Sequence, residues 1–499
     1  MLTDPIFLGL DIGTSSCKAL AIDARARLLG SALAEYPCQS PQPGWSEQNP
    51  ADWRHGAQTA LRCLLKQLDA SRLAGIGLSG QMHGMVALGA KNNVLRPAIL
   101  WNDQRTPRQC AEITALAGGA EGLLRLTNNP MLTGFTGGKI MWFRQTEPLL
   151  FEQTKTFLNP KDYIRFCLTG QLATEVSDAS GTGLFDVKHR RWSQELLALL
   201  ELEASLFPPA LESTQIAGHV TRAAAELTGL PAGLPVIAGG GDAVLSALGM
   251  GVSSQSQIAV TLGTSGVVAR HCADWFENTG GKLQFSCACL PGQFHVMGVT
   301  LAAAGSYQWL ERVLGDASLP ERRARYKALD EEAFTAPPGA EGLLFLPYLS
   351  GERCPVNDPA ARGVFFGLTA ATARGGIARA VLEGVAYSLR QVYGLIAQAG
   401  GAAEQVVLAG GGAVSPLWRQ IIADVFALPT VTLEAGEEGS GLGAAMLAGL
   451  GLRYWSDPQS AAVCLREKTK ALPNPANAAV YEQGYQQYLR LYPAIRNLR

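Results

Sequence analysis

The chain has 499 residues, 47% hydrophobic and 17% charged, enough apolar material for more than one core at roughly 150 residues per domain and too much for a disordered chain. Lys and Arg number 41 against 42 Asp and Glu, a formal net charge of −1, which argues against a basic surface for nucleic acid. The 56 glycines exceed the usual share of about 7% without a Gly-X-Y period, as expected of many tight turns and close backbone approaches.

In chain order, the N-terminus lacks a basic region and a small-residue cleavage site, so no secretory leader is expected. The first predicted element is an apolar strand, Leu8-Gly9-Leu10, that runs through Asp11-Ile12 into Gly13-Thr14-Ser15 and a second apolar run, a β-turn-β hairpin. Helical periodicity follows over 51–67, then short apolar strands at 75–79 and 86–88. Val236-Ile237-Ala238 leads into Gly239, Gly240 and Gly241, and a helix is expected over 243–248 with Asp242 at its N-cap. The opening device then recurs half a chain later as Val260-Thr261-Leu262-Gly263-Thr264-Ser265. Strands at 285–290 and 343–347 and a helix at 376–397 come next. Val407-Leu408-Ala409 then repeats the strand that ends in glycines, here Gly410, Gly411 and Gly412, ahead of a helix at 418–426. The uncharged stretch 439–452 is too short to span a bilayer and reads as a buried helix; a charged, superficial helix at 478–491 closes the chain.

Two copies of one device imply two related α/β domains, 1–248 and 249–499, with a junction between 245 and 255 and ligands at the strand ends. Gly-Thr-Ser at a hairpin turn suits a polyphosphate, since glycine admits close approach and N–H and hydroxyl donors converge there. Asp11 is replaced by Thr261 in the second copy, so only the first hairpin is expected to handle a metal-bound phosphate, with few protein ligands as Mg²⁺ prefers. Lys18, on the outgoing strand, can reach a phosphate or stand as a solvated edge lysine. Asp242, behind three glycines, can accept a proton in an open crevice while starting its helix. The ten cysteines are scattered apart from Cys287 and Cys289, as in a reduced cytosolic protein; those two with His295 fall short of a four-ligand zinc site.

A series of segments in this order resembles the FGGY carbohydrate kinases: Asp11-Ile12-Gly13-Thr14-Ser15, Trp45-Ser46-Glu47-Gln48, Gly80-Gln81-Met82-His83-Gly84, Arg96 to Asp103, Phe135-Thr136-Gly137-Gly138-Lys139, Pro160-Lys161-Asp162-Tyr163, Gly240-Gly241-Asp242, Leu346 to Arg353 and Gly363 to Leu368. The resemblance covers nearly the whole chain. It implies two actin-like (ribonuclease H-like) domains with the active site in a cleft between them, and ATP- and Mg²⁺-dependent phosphorylation of a sugar hydroxyl in the cytoplasm. By resemblance Asp242 is the catalytic base and Asp11 lies by the magnesium-bound phosphates. Gly13, Thr14, Ser15, Gly263 and Thr264 form the phosphate hairpins, and Gly411 and Gly412 flank the adenosine. Met82 and His83 contact the sugar as in members that convert D-xylulose to its 5-phosphate, with Trp101 and Asp103 on the same side. Relatives imply a homodimer, with no nucleic acid or membrane partner.

Two departures stand out. Ala243 follows the catalytic Asp where Asn or Gln is common, which leaves another pentulose, ketose or polyol open as substrate. Gly375-Gly376 sits where a polar residue usually precedes a helix. A nucleotide-switched sugar sensor of the same fold is the more distant alternative; as a repressor it would carry a helix-turn-helix, for which nothing before Phe7 leaves room.

Overall fold

The computed structural model describes residues 4–252, 254–434, 436–463 and 465–498. They form two compact units, each discontinuous in sequence. One comprises Met1–Ser253, His271–His295 and Glu438–Leu465; the other comprises Ser254–Arg270, Val296–Glu437 and Arg466–Arg499.

In the first unit the strand Ile6–Ile12 is buried along nearly its whole length, as its run of apolar residues requires of a central strand covered on both faces. It pairs antiparallel with Ser16–Ile22 and parallel with Leu73–Gly80. Leu28–Glu35 lies at one edge of the sheet, and Pro235–Ile237 with Ile216–His219 completes the other. The short strand Gly240–Gly241 pairs parallel with the end of Leu73–Gly80. Helix Pro50–Leu65 covers the sheet through Trp53, Ala57, Ala60, Leu61 and Leu64, the stripe expected of a helix with one apolar face. The opposite cover comes from late in the chain. Helix Gly439–Gly451 lies so close that a Cβ at Gly9 or at Gly77 would stand 2.1 Å from a helix carbonyl, that of Gly441 or Ala444.

The second unit repeats the start. Its hairpin Gln257–Leu262 with Gly266–Cys272 pairs parallel with Gln405–Ala409, which in turn adjoins Thr430–Leu433 and Glu467–Ala471. Helix Arg374–Gly400 supplies its core, burying Val381, Val385, Leu389, Val392 and Ile396. The unusual Gly375 at its start is a packing residue: a Cβ there would meet the Glu332 carbonyl at 2.4 Å. The final helix, Ala478–Ile495, is less superficial than its charge suggests, since Tyr481, Tyr488 and Leu491 are buried. The strand expected at 285–290 stops at Cys287, ahead of a turn through Gly292 at φ +72°. Nine of the cysteines are free thiols, with Cys38 and Cys63 exposed; Cys464 lies outside the described residues. Among the described residues no helix is long and apolar enough to cross a membrane.

Candidate active site

The site of the first unit is assembled by strand register. Asp11 and Gly240 both stand beside Ser79, on the two strands that flank Leu73–Gly80, at the carboxyl ends where parallel strands present ligands. The turn into this row needs glycine: Gly239 has φ +90°, and a Cβ there would lie 2.2 Å from the Leu78 carbonyl. The following helix runs Asp242–Gly249 with Gly241 as its N-cap. Asp242 is therefore the first helical residue and not the cap expected from sequence, and its Oδ1 accepts from the next amide, Ala243 N, at 2.8 Å.

Two carboxyl groups meet here. Burial pushes the Asp242 carboxyl up to about 7, and the negative charge of Asp11 adds to the shift. Asp11 is raised too, first by burial, with the hydroxyls of Ser79 and Ser440 and the charge of Lys18 acting against it. Asp11 Oδ1 is buried with no partner at hydrogen-bond distance, an arrangement that costs free energy unless something polar completes it. A divalent cation is a group whose charge would complete such a carboxylate. Among the described residues no group of three His, Cys, Asp or Glu side chains is placed to hold a metal, so a cation here would take few protein ligands and rely on water and phosphate oxygens for the rest. Lys18 is ion-paired with Glu438, so reaching a phosphate would mean exchanging that partner.

Gln81, Met82 and His83 follow the same strand. Met82 is buried against Gly241, where a Cβ would come within 2.6 Å of its sulfur, which puts it beside the start of the Asp242 helix. His83 has φ +68°, a costly conformation for a side chain with a Cβ. Its carbonyl accepts from Lys139 Nζ at 2.7 Å and Thr136 Oγ1 at 3.0 Å, Nδ1 lies 2.6 Å from the Gly181 carbonyl, and Phe135 stacks on the ring. The Lys139 ammonium is fully buried and drops to about 7, by desolvation. The Gly181 carbonyl can only accept, so Nδ1 carries a proton.

The first hairpin is tied to this side of the unit. Thr14 Oγ1 accepts from the Trp101 indole at 2.9 Å and donates to Gln81 Oε1 at 3.3 Å, while Gln48 Nε2 donates to the Thr14 carbonyl at 2.6 Å. The Thr14 hydroxyl thus has partners other than phosphate, and Trp101, 42% exposed, is held at the edge of the site. Asp103 does not present its carboxylate to a ligand as expected. It is fully buried, with Ser46 N at 2.6 Å and the Arg105 guanidinium at 2.6 and 2.9 Å on its oxygens, and so anchors the loop that carries Trp101. The two hairpins also differ. Ile12 pairs with Cys17 across four residues, whereas Leu262 pairs with Gly266 across three.

The second unit contains a cavity of about 850 Å³ lined by Gly263, Thr264, Gly411 and Gly412, by Tyr307, Gln308, Tyr326 and Asp330, and by Arg322, Arg323 and Lys327. Thr264 is held by the start of helix Ala304–Leu314, its carbonyl accepting from Ala303 N at 2.9 Å and Gly305 N at 3.1 Å. Gly410 takes φ +89° against Leu262, and a Cβ on Gly411 would meet open space. Tyr307 and Tyr326 are stacked at 5.8 Å, and Tyr307 donates to Asp330 at 2.7 Å. The sequence reading found the glycines of this cavity but not its aromatic and basic wall. The only signal for that wall was a polar, Arg-rich helix between two apolar segments.

Comparison with known proteins places these features in context. Residues 6–249 match the N-terminal domain of the FGGY family of carbohydrate kinases, and residues 258–452 match its C-terminal domain. A xylulose kinase from Lactococcus lactis subsp. lactis is 38% identical over 97% of this chain and 96% of its own. Among solved structures, a xyloylose kinase from Brucella ovis is 37% identical with a TM-score of 0.92, covering 99% of this chain and 100% of its own. A gluconate kinase from Lactobacillus acidophilus reaches the same TM-score of 0.92 at 27% identity, covering 99% of each chain.

Proposed function

Because the chain belongs to the FGGY family of carbohydrate kinases, we propose that it phosphorylates D-xylulose at the 5-hydroxyl, with ATP as donor and Asp242 as the general base. The observation that carries this reading is the pair of carboxyl groups at the strand ends, one of them raised to about 7 by burial and by its neighbour. A base with that proton affinity is matched to neutral pH. Of the sequence halves 1–248 and 249–499, the first supplies the sugar side, the first phosphate hairpin and the base; the second supplies the nucleoside cavity and the second hairpin.

Asp242 takes the proton of the attacking hydroxyl. Met82 gives the sugar an apolar wall and His83 a polar contact, while Trp101 bounds the site. Gly13 and Ser15 in one unit and Gly263 and Thr264 in the other offer backbone and hydroxyl donors to phosphate oxygens, and the glycines Gly411 and Gly412 leave room for the nucleoside. Asp11 would hold a divalent cation, which supplies charge neutralisation at the phosphates. Phosphoryl transfer asks little covalent chemistry of the protein, so positioning and electrostatics carry the rate.

The choice of D-xylulose is supported by relatives bearing that name at 34–38% identity over nearly their full length and by the Gln81-Met82-His83 turn. The test is ADP release by the purified protein with D-xylulose, D-ribulose, D-gluconate and glycerol. A kcat/KM for D-xylulose at least tenfold above the others is expected; a preference for gluconate or glycerol overturns the assignment while leaving the kinase class intact.

A further inference from the structure

Asp242 follows three glycines, the least constrained backbone a chain can offer, yet a general base must be held within a fraction of an ångström. What fixes it lies beneath the strand. The N–H of Gly241, the residue directly before Asp242, donates to Ser177 Oγ at 3.0 Å, and that hydroxyl spends its own proton on Glu175 Oε1 at 2.8 Å. Glu175 is locked in turn: its other oxygen accepts from Ser177 N and from Ser213 Oγ, each at 2.7 Å, and Oε1 also accepts from Asp178 N at 2.8 Å. A carboxylate so bound can only accept, so the Ser177 hydroxyl is committed as a donor toward it and turns a lone pair to Gly241 N.

The surroundings extend the grip. Arg165 donates to the Ala238 carbonyl at 3.0 Å, Gly239 N donates to the Ser213 carbonyl at 3.1 Å, and Lys161 links Asp162 at 2.7 Å with Glu175 at 3.5 Å. Ser177, Glu175, Ser213, Lys161, Asp162 and Arg165 are all fully buried. A buried ionic cluster is a poor way to gain stability, since apolar residues of the same volume do as well or better. Its bonds converge on the peptide groups of 238–241, the segment that delivers the base.

We propose that Ser177, oriented by Glu175, is a positioning residue for the phosphoryl transfer, a latch that fixes the Gly240–Gly241 peptide and through it the Asp242 carboxylate. The inference rests on Asp242 being the base, and the experiment separates the two claims. Ser177→Ala, Ser177→Thr, Glu175→Gln, Asp242→Asn and the Ser177→Ala/Asp242→Asn double variant are compared with wild type as the full chain, by kcat, KM for ATP and for D-xylulose, pH–rate profile and Tm. Loss of one buried partner corresponds to a fall of about 5- to 150-fold. We expect that fall in kcat for Ser177→Ala, with KM for ATP within twofold of wild type and a displaced acidic limb of the profile. Ser177→Thr restores most of the rate, and Glu175→Gln falls between. In the Asp242→Asn background Ser177→Ala costs nothing further, because there is no base left to position. An unchanged kcat in Ser177→Ala, or the same fold-loss with and without Asp242, overturns the latch. Activity near wild type in Asp242→Asn overturns the proposed base instead. Should Ser177→Ala fail to fold, Glu175→Gln carries the same comparison, and a rate and profile unchanged from wild type there overturn the latch as well.

Discussion

Asp242 serves two ends that pull apart. Burial beside Asp11 raises its proton affinity to about 7, which suits a base but means that the folded protein holds this proton more tightly than the unfolded chain does. Stability from this group therefore falls as pH rises from about 4, the unfolded value, through 7, and the full penalty is present above that. Asp242→Asn, neutral throughout, should raise Tm at pH 8 and lose most of the advantage by pH 5, while lowering kcat by roughly 10²- to 10⁴-fold; melts at both pH values check the sign, and a Tm gain that does not depend on pH would refute it. At Asp11 the orphaned oxygen makes a different demand. Asp11→Ala should raise the Mg²⁺ concentration needed for half-maximal turnover at least tenfold, whereas Thr261→Ala, at the matching place in the second hairpin, should leave it nearly unchanged; equal defects in the two titrations would show the hairpins to be equivalent. His83 is held in its positive-φ turn by Lys139, Thr136 and Gly181. His83→Ala should cut sugar phosphorylation by about 5- to 150-fold and spare sugar-free ATP hydrolysis, and a parallel fall in both rates would remove His83 from the sugar side.

Helix Gly439–Gly451 shows how far glycine governs the packing. Gly443 faces helix Asp242–Gly249 so closely that a Cβ would stand 1.9 Å from the Leu245 carbonyl, and a backbone carbonyl cannot swing aside as a side chain can. Gly443→Ala should destabilise the protein by about 1–3 kcal/mol. Gly376→Ala, in a helix where the new methyl meets open space, should instead stabilise by about 0.5–1 kcal/mol. Urea midpoints of the two variants should move in opposite directions, and a shared direction would mean that helix propensity outweighs the contact. The pattern of apolar residues and glycines was enough to find this helix in the sequence, together with both hairpins and both strands that end in glycines, because each is a local signal. Its partner was not readable, since nothing in residues 439–451 says that they pack on strands four hundred residues earlier. The same divide runs through the site. Asp11, Met82, His83 and Asp242 sit in motifs, whereas Ser79, Ser177, Glu175 and the Tyr307–Tyr326 wall are brought in by register and tertiary packing. Thr14 pairs with Trp101 and Gln81, and Asp103 with Ser46 and Arg105, partners that no motif names, because a motif fixes where a hydroxyl or carboxylate lies and not which donor reaches it first.

The units are built to one plan, with a hairpin, a parallel strand that ends in glycines and a helix after it, but they differ where chemistry is expected. Asp11 in one copy of that plan is matched by Thr261 in the other, and tips of four and three residues close the two hairpins. The shared plan does not select a sugar; on the proposed reading that choice falls to the turn at Met82 and His83 and to Ala243, the residue after Asp242. The first unit also draws its last layer from Glu438–Leu465, and this bears on how the protein is made. When the ribosome has released the strands and helices of the first segment, the sheet face that carries Gly9 and Gly77 still lacks its cover. At about 5–20 residues per second, the covering helix emerges on the order of ten to forty seconds later. Throughout that interval the nascent chain holds an unfinished, apolar sheet, so the half of the protein that is synthesised first is completed among the last, and a messenger truncated before codon 438 yields a product for chaperones and proteases.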